Sequence, residues 1–504
     1  MRTPHLLPFM LLFAASVSAQ APSSALSLED ALRVAQERNY TIRIGAAQIQ
    51  VREGEAQAAR GTFDPLFSAS LSQLRASQLH TSVQQAQLGV DRTTLGQSVY
   101  RAGLSKRFSS GMVVSPGLEV TRSDDLTLGT LPLAQTRASL FVSYPLLRDR
   151  GLGLEVAQIE AAEAGVTASQ WQYTHTNAQS LFGVASAYWS YAAAQQSLGV
   201  FQDAEQRAQR LLQETQTLVS RDERPQADLD QLQANLADKI TARIGGERAV
   251  FEARQQLGLQ LGLSAAQAGR LALPEASFPA LADVQGGPPT DLLIERAQHR
   301  RADLQQAQAQ QQAAVVLLEA SRREQRPRLD LQFDIGYAGQ HEGNLDVATT
   351  LAPHQVGGPS GSVSLVYDWA FGNSAARGQY ARYEARLRQQ ELALEEQRQQ
   401  VSAGVAIAYD ALQTSAQQLS KAREAVRLYQ RALDNEQQKL RLGMSTLFDV
   451  TLVEDRLTSA LLAEISAHAS YAQALARLSF ETGTLPVRGA DAKEQAQALT
   501  TFRF

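Results

Sequence analysis

The sequence predicts a mainly α-helical fold with a transmembrane β-barrel portion, internally duplicated. Three observations predict it: an internal repeat, apolar seams spaced for long helices that pack on one another, and short runs alternating apolar with polar residues.

The segment LEDALRVAQERN from Leu28 has a counterpart in LIERAQHRRADL from Leu293. At an offset of 262, Ile42 meets Leu304, Arg60 meets Arg322, Pro65 meets Pro327 and Leu71 meets Phe333. At an offset of 221, Ala187-Tyr188 meets Ala408-Tyr409, Asp228 meets Asp449, and Leu257 and Gly262 meet Leu478 and Gly483. Chance matching of Ala and Gln would not keep Tyr, Pro, Asp and Gly in register too. Residues 20–286 form the first repeat and 287–485 the second, with a tail at 486–504. Each repeat has a helix, a strand region, a very long helix, a sharp break and a returning helix. The breaks fall at Arg221-Asp222-Glu223-Arg224-Pro225 and at Leu442-Gly443-Met444-Ser445, where Gly ends a helix and Ser445 or Thr446 can cap the next.

From Val401 the apolar positions Val405, Ala408, Leu412, Leu419, Val426 and Leu433 are spaced as a coiled-coil seam, continued by Leu457, Leu461, Tyr471, Leu475 and Leu478. Gln, Arg and Glu fill the other positions. Such narrow stripes suit helix-on-helix packing with wide wet faces. His468 falls in the seam and reads as a packed histidine, since no second His or acidic ligand cluster accompanies it.

In the second repeat Leu329, Leu331, Phe333, Ile335 and Tyr337 alternate with Asp330, Gln332, Asp334 and Gly336. Val363, Leu365, Tyr367, Trp369 and Phe371 alternate with Ser362, Ser364 and Asp368, and residues 338–361 between them read as an external loop. The matching strands of the first repeat are Phe63–Leu71 and Ala138–Leu146. One apolar and one polar face is the barrel-strand pattern, and Tyr144, Tyr337, Tyr367 and Trp369 form the expected interfacial aromatic girdle. Four strands cannot close a transmembrane barrel, so subunits must share one, and three subunits of four strands give twelve. A surplus hairpin, Val99–Phe108 with Met112–Val120, either joins that barrel or decorates its rim.

The amino terminus carries Arg2, an apolar run over Leu6–Val17 and Val17-Ser18-Ala19, the pattern of a cleavable secretory signal over residues 1–19. The apolar run is shorter than the roughly 20 residues a spanning helix needs, and no later stretch approaches that length. The chain has no Cys, which excludes disulfides, thiolate metal sites and an amino-terminal lipid on cysteine. A formal charge of -4 makes nucleic acid an unfitting partner. No nucleophile elbow, zinc-protease, P-loop or dinucleotide motif stands in a fitting context, so no catalytic residue, metal or cofactor is assigned.

With LSLEDALRVAQERN, FDPLFSASLS, its echo RPRLDLQFDIGY, YDWAFGN and RLGMSTLFDVTLVEDRL in this order, the chain resembles the outer-membrane efflux protein (TolC-like) family. The resemblance implies a homotrimer in outer-membrane lipid, its shared barrel continuing as a long α-helical tunnel through the periplasm. It implies an exit duct of a tripartite efflux or type I secretion system, opened by a periplasmic adaptor (membrane fusion) protein and an inner-membrane transporter. A periplasmic coiled-coil adaptor or scaffold without a pore is the alternative. The family's constriction carries acidic residues after the Gly of the second hairpin. Asp449 matches the first of them and implies a cation-selective ring, in which repulsion among three copies should raise the apparent pKa. The second acidic position is Leu452, and the family's closing Tyr and Arg are Leu440 and Ser445 here. Asp228, Asp230, Gly443 and Ser445 mark the periplasmic hairpin tips.

Overall fold

The computed structural model describes residues 25–502 except 128–130, 149, 152, 222–224, 276, 282–286, 344–355 and 487–488. The signal at residues 1–19 lies outside the described residues, as do the boundary expected at 286 and most of the loop after Gly343.

Helices α1 (Leu28–Arg38) and α2 (Tyr40–Arg60) lead to β1 (Leu66–Leu79), α3 (Ser82–Leu88), β2 (Arg92–Arg107), β3 (Val113–Asp125) and β4 (Leu133–Pro145). The long helix α4 (Leu154–Val219) follows, then α5 (Ala227–Gln260) and the short α6 (Ala265–Ala268). The second series is α7 (Thr290–Arg300), α8 (Ala302–Glu324), β5 (Arg328–Glu342), β6 (Val356–Asp368), α9 (Ser374–Arg441) and α10 (Leu447–Glu481), closed by α11 (Ala492–Thr500).

The duplication is visible in these boundaries. The starts of α1 and α7, of α2 and α8, and of β1 and β5 each lie 262 residues apart, and α5 and α10 end 221 apart. One extended residue separates each leading helix pair: Asn39 at φ -60, ψ 124 and Arg301 at φ -67, ψ 126. Both returning helices end on a left-handed glycine, Gly262 at φ +74 and Gly483 at φ +66. Around them Leu263 N–H donates to Gly258 O at 2.9 Å and Thr484 N–H to Ser479 O at 3.0 Å, the 6→1 bond that satisfies last-turn carbonyls. The glycines repeat because only glycine takes this conformation without steric cost.

The chain divides into two compact units. The sheet unit, Thr41–Asn177 and Ile294–Gly404, contains one six-stranded sheet in the order β1-β2-β3-β4-β5-β6. Every neighbouring pair is antiparallel. This corrects the expected count of four. The hairpin around Ser109 is not an appendage, since β2 pairs along β1 and β3 along β4. The β2–β3 register passes from Gly103↔Gly117 to Lys106↔Val114, skipping Ser115 and Pro116, as a proline with no N–H to give requires. The strands also run longer than the alternation suggests, because a ladder continues wherever a partner strand offers donors and acceptors. Helix α3 starts on a capping box of Thr81 and Gln84 and ends on Gly89 at φ +74.

The helical unit comprises Met1–Tyr40, Ala178–Leu293 and Val405–Phe504. Its core joins Leu28, Leu32 and Ala35 of α1 to Leu181, Tyr188 and Tyr191 of α4, Leu257 and Leu261, and Ala472 and Ala476 of α10. The spacing of Leu28, Ala31, Leu32 and Ala35 puts all four on one helical stripe. Tyr188 Oη donates to Leu26 O at 3.0 Å, and burial pushes its pKa up to about 12. In the tail, helix α11 is packed: Leu499 is fully buried, Ser479 Oγ donates to Ala498 O at 2.7 Å, and Gln36 Nε2 donates to Gln495 Oε1 at 2.6 Å. Along α9 the seam is as expected, with Val405, Ala408, Leu412, Leu419 and Leu433 all buried.

Candidate functional site

In the sheet unit the register sorts the side chains onto two faces. One row runs Ala69↔Ala102↔Leu118↔Ala138↔Tyr337↔Pro359, and the next on the same face runs Leu71↔Tyr100↔Val120↔Thr136↔Gly339↔Gly357. Phe67, Leu104, Leu140, Phe333, Ile335, Val363 and Leu365 share this face by register. Phe67, Leu71, Tyr100, Leu104, Leu118, Ile335, Val363 and Leu365 are exposed. Exposed apolar residues aligned across every strand form a patch, which marks a surface destined for an apolar partner or lipid. From Leu329 to Tyr337 the β5 stripe is about 27 Å along the strand, close to the roughly 25 Å band of outer-membrane barrels.

The opposite face is polar. Arg101 Nε bonds Glu119 Oε2 at 2.6 Å and Arg137 Nη2 bonds Asp334 Oδ1 at 2.5 Å, and the register sets Arg101, Glu119 and Arg137 side by side. Sequence reading missed this belt apart from Asp334. Its signal was present, as charges at alternate positions of β2, β3 and β4, but only the ladder brings the four residues together.

Three of the expected girdle residues, Tyr144, Tyr337 and Tyr367, share the apolar face. Tyr144 pairs with Leu331 and Tyr367 with Leu329, at the sheet end where β4 finishes and β5 begins, whereas Tyr337 stands toward the other end. Trp369 follows the last residue of β6 and is exposed.

In the helical unit the second hairpin turn is built by two caps. Gly443, at φ +72, donates its N–H to Leu440 O at 3.0 Å while Met444 N–H reaches Lys439 O at 2.8 Å, closing α9. Thr446 then caps α10. Its Oγ1 accepts from Asp449 N–H at 3.2 Å, and its N–H donates to Asp449 Oδ2 at 3.1 Å. Leu433, Val450 and Leu457 pack beneath and hold the two helices together.

The Asp449 carboxylate is therefore a helix-capping group on an exposed turn. The Thr446 hydroxyl and N–H hold it below the usual carboxylate range. Within one subunit that direction opposes the rise expected from three clustered copies. Ser445 does not cap: its Oγ donates to Glu436 Oε1 at 2.5 Å, and with Lys439 it holds Glu436 low as well. At the first hairpin, residues 222–224 lie outside the described residues. Asp228 N–H donates to Pro225 O at 3.2 Å, and both Asp228 and Asp230 sit in the first turn of α5, where carboxylates favour the helix dipole.

Glu454, which sequence reading did not single out, is half-buried and pushed up by burial, against the pull of Arg207 at 4.0 Å. His468 stacks on Phe278 at 5.3 Å between centroids, and burial and Arg423 lower its pKa, the packed histidine expected. Among the described residues no group of three His, Cys, Asp or Glu could hold a metal ion, and no helix is long and apolar enough to cross a membrane.

Residues 293–484 match the family described as outer membrane efflux protein. No curated protein matches in sequence. Among solved structures the chain is similar to the Campylobacter jejuni CmeC outer membrane channel, with a TM-score of 0.67 at 13% identity over 94% of this chain and 89% of that one. It is similar to the outer membrane protein VceC of Vibrio cholerae, with a TM-score of 0.66 at 16% identity over 90% and 96%. The open-state Neisseria gonorrhoeae MtrE outer membrane channel gives a TM-score of 0.62 at 18% identity over 90% and 88%. The fold is that of outer-membrane channels.

Proposed function

We propose, because residues 293–484 match the outer membrane efflux protein family, that the whole chain is a subunit of an outer-membrane exit duct, a passive conduit from periplasm to exterior. The observation that carries this reading is the sheet. Its exposed apolar face crosses all six strands and its polar face is laced with ion pairs. In hydrocarbon an open sheet would leave the backbone groups of β1 and β6 unpaired, at a cost of several kcal/mol each, so the sheet needs other copies to close it. A soluble scaffold has no use for this patch, which disfavours the adaptor alternative. The fold and the family are those of channels rather than enzymes.

In this reading the chain is exported by its cleavable signal, assembles as a trimer in outer-membrane lipid, and is opened from the periplasm by an adaptor and an inner-membrane transporter. Cell fractionation followed by electrophoresis without boiling tests it. A detergent-extracted outer-membrane trimer is the expected species, and a soluble periplasmic monomer would sink the proposal.

Asp449 is the residue we assign to a cation-attracting ring at the inner end. Asp449→Asn keeps an acceptor for the Thr446 cap while removing the charge. In planar bilayers the variant should lose much of its block by multivalent cations, and an unchanged cation response would remove Asp449 from the constriction.

A further inference from the structure

The two repeats do not contribute equally to the sheet. β5 and β6 are the two strands of the second repeat, and β1 is the counterpart of β5 at the same offset of 262 as the helices before it. β4 and β6 each lead into a long helix. The β2–β3 hairpin is therefore an insertion between the two strands of the first repeat, and the question is whether it stands in the wall or outside it.

The register answers for the wall. Both apolar rows pass through β2 and β3 without a break in phase, with Ala102, Leu118, Tyr100 and Val120 on the lipid-type face. The polar row Ser70↔Arg101↔Glu119↔Arg137 does the same on the other. A hairpin standing in water at a rim has no need for such alternation. The sheet ends in two free edges, β1 exposed along all 14 residues and β6 exposed along nearly all of its 13. Six strands in antiparallel sequence leave β1 and β6 running in opposite directions. β6 of one copy can then pair antiparallel with β1 of the next, keeping the apolar faces on one side.

We propose that β2 and β3 are wall strands of the membrane barrel, and that three copies of this chain close an eighteen-stranded barrel, β1 of each pairing with β6 of a second copy. The proposal rests on the exit-duct reading above and departs from the twelve strands that two per repeat would give. At a strand spacing of about 4.8 Å and a tilt of about 40°, eighteen strands enclose a backbone cylinder about 36 Å across, against about 24 Å for twelve. A barrel of that size leaves an aqueous channel where small barrels are filled by side chains.

The absence of native Cys makes the test direct. In outer membranes containing the full chain, Ser70→Cys is combined in turn with Ser360→Cys, Ser362→Cys and Ser364→Cys, all on the polar face, and oxidised. At least one pair should yield a covalent ladder ending at three subunits. A ladder ending at two, or a membrane trimer that none of the pairs cross-links, would overturn the proposal. Separately, Leu118→Cys, Glu119→Cys, Val120→Cys and Thr121→Cys are exposed to a charged maleimide in the same membranes. Glu119→Cys and Thr121→Cys should react many-fold faster than the other two, whereas equal reactivity places the hairpin in water. Both results presuppose an outer-membrane trimer, so a chain that never reaches the membrane fails the exit-duct reading instead.

Discussion

Asp303→Ala should lower the unfolding free energy by about 3–5 kcal/mol, the cost of breaking one partner out of a buried ion pair. In the sheet unit Arg301 and Asp303 keep only 9% and 5% of their side-chain surface exposed. The guanidinium grips the carboxylate with both arms, Nη2 to Oδ2 at 2.7 Å and Nε to Oδ1 at 3.0 Å. Gln397 Nε2 donates to Oδ2 at 2.8 Å and Leu304 N–H to Oδ1 at 3.0 Å, so the carboxylate is satisfied on both oxygens. Removing it takes from the buried Arg301 guanidinium its bidentate carboxylate at the joint between α7 and α8. Thermal unfolding of the detergent-solubilised protein checks the loss, and replacing Arg301 by Met in the same variant should recover part of it. Recovery separates the cost of keeping the Arg301 charge buried without Asp303 from loss of the pair itself.

The pair also sets a pH dependence. Burial alone would raise Asp303, but the Arg301 hydrogen bonds and charge, helped by His175 and Gln397, hold it below the usual carboxylate range. A folded-state value below the unfolded one adds stability that is fully present above about pH 4, the ordinary Asp value, and is lost as pH falls through the lowered folded value. An acid-unfolding series should show this loss in the native chain, and Asp303→Ala should lack that component.

Gly262→Ala is the second large effect, at about 3 kcal/mol or more. A Cβ there would stand 2.3 Å from Arg38 O and 2.8 Å from Arg38 C, backbone atoms that cannot turn aside. The left-handed φ of +74 adds the steric cost of a side chain in that region, about 1–2 kcal/mol, to an overpacking cost of about 1–3 kcal/mol. The junction is further tied by Asn39 Nδ2 donating to Gln260 O at 2.6 Å, so a shift to relieve the clash would break that bond. Gly443→Ala supplies the comparison inside one chain. Gly443 has nearly the same φ, +72, with nothing within 4 Å of the added carbon, so it should lose only the conformational part, about 1–2 kcal/mol. Equal thermal shifts for the two variants would contradict the close-approach account of Gly262.

Much of this molecule was legible in its residues. Periods of 3.6 and 2 are local properties, so the long helices, their breaks at Pro225 and Gly443, and the two-faced strands from Leu329 and Val363 could be read in order. The repeat was legible because duplicated geometry demands the same residue twice, as Gly262 and Gly483 do at the same left-handed turn. Asp449 was identifiable only through family resemblance. That it caps α10 with Thr446 follows from a three-residue spacing that reads equally as surface acid or capping box until the turn is built.

What the tertiary structure decided were the partners. A strand's alternation says which side of it is apolar but not which strand lies beside it, so the hairpin around Ser109 could be seen and not placed. Hydrogen-bonded pairing put β2 and β3 between β1 and β4, and so raised the sheet from four strands to six. It also set Arg101, Glu119 and Arg137 in one row. Arg301 and Asp303 look like any solvated pair at a helix start until packing removes their water and makes the pairing obligatory. The sequence marks residues 486–504 only as a tail, yet Leu499 packs against the core. Periodicity is written in one segment of chain; register, desolvation and closure depend on atoms that other segments supply.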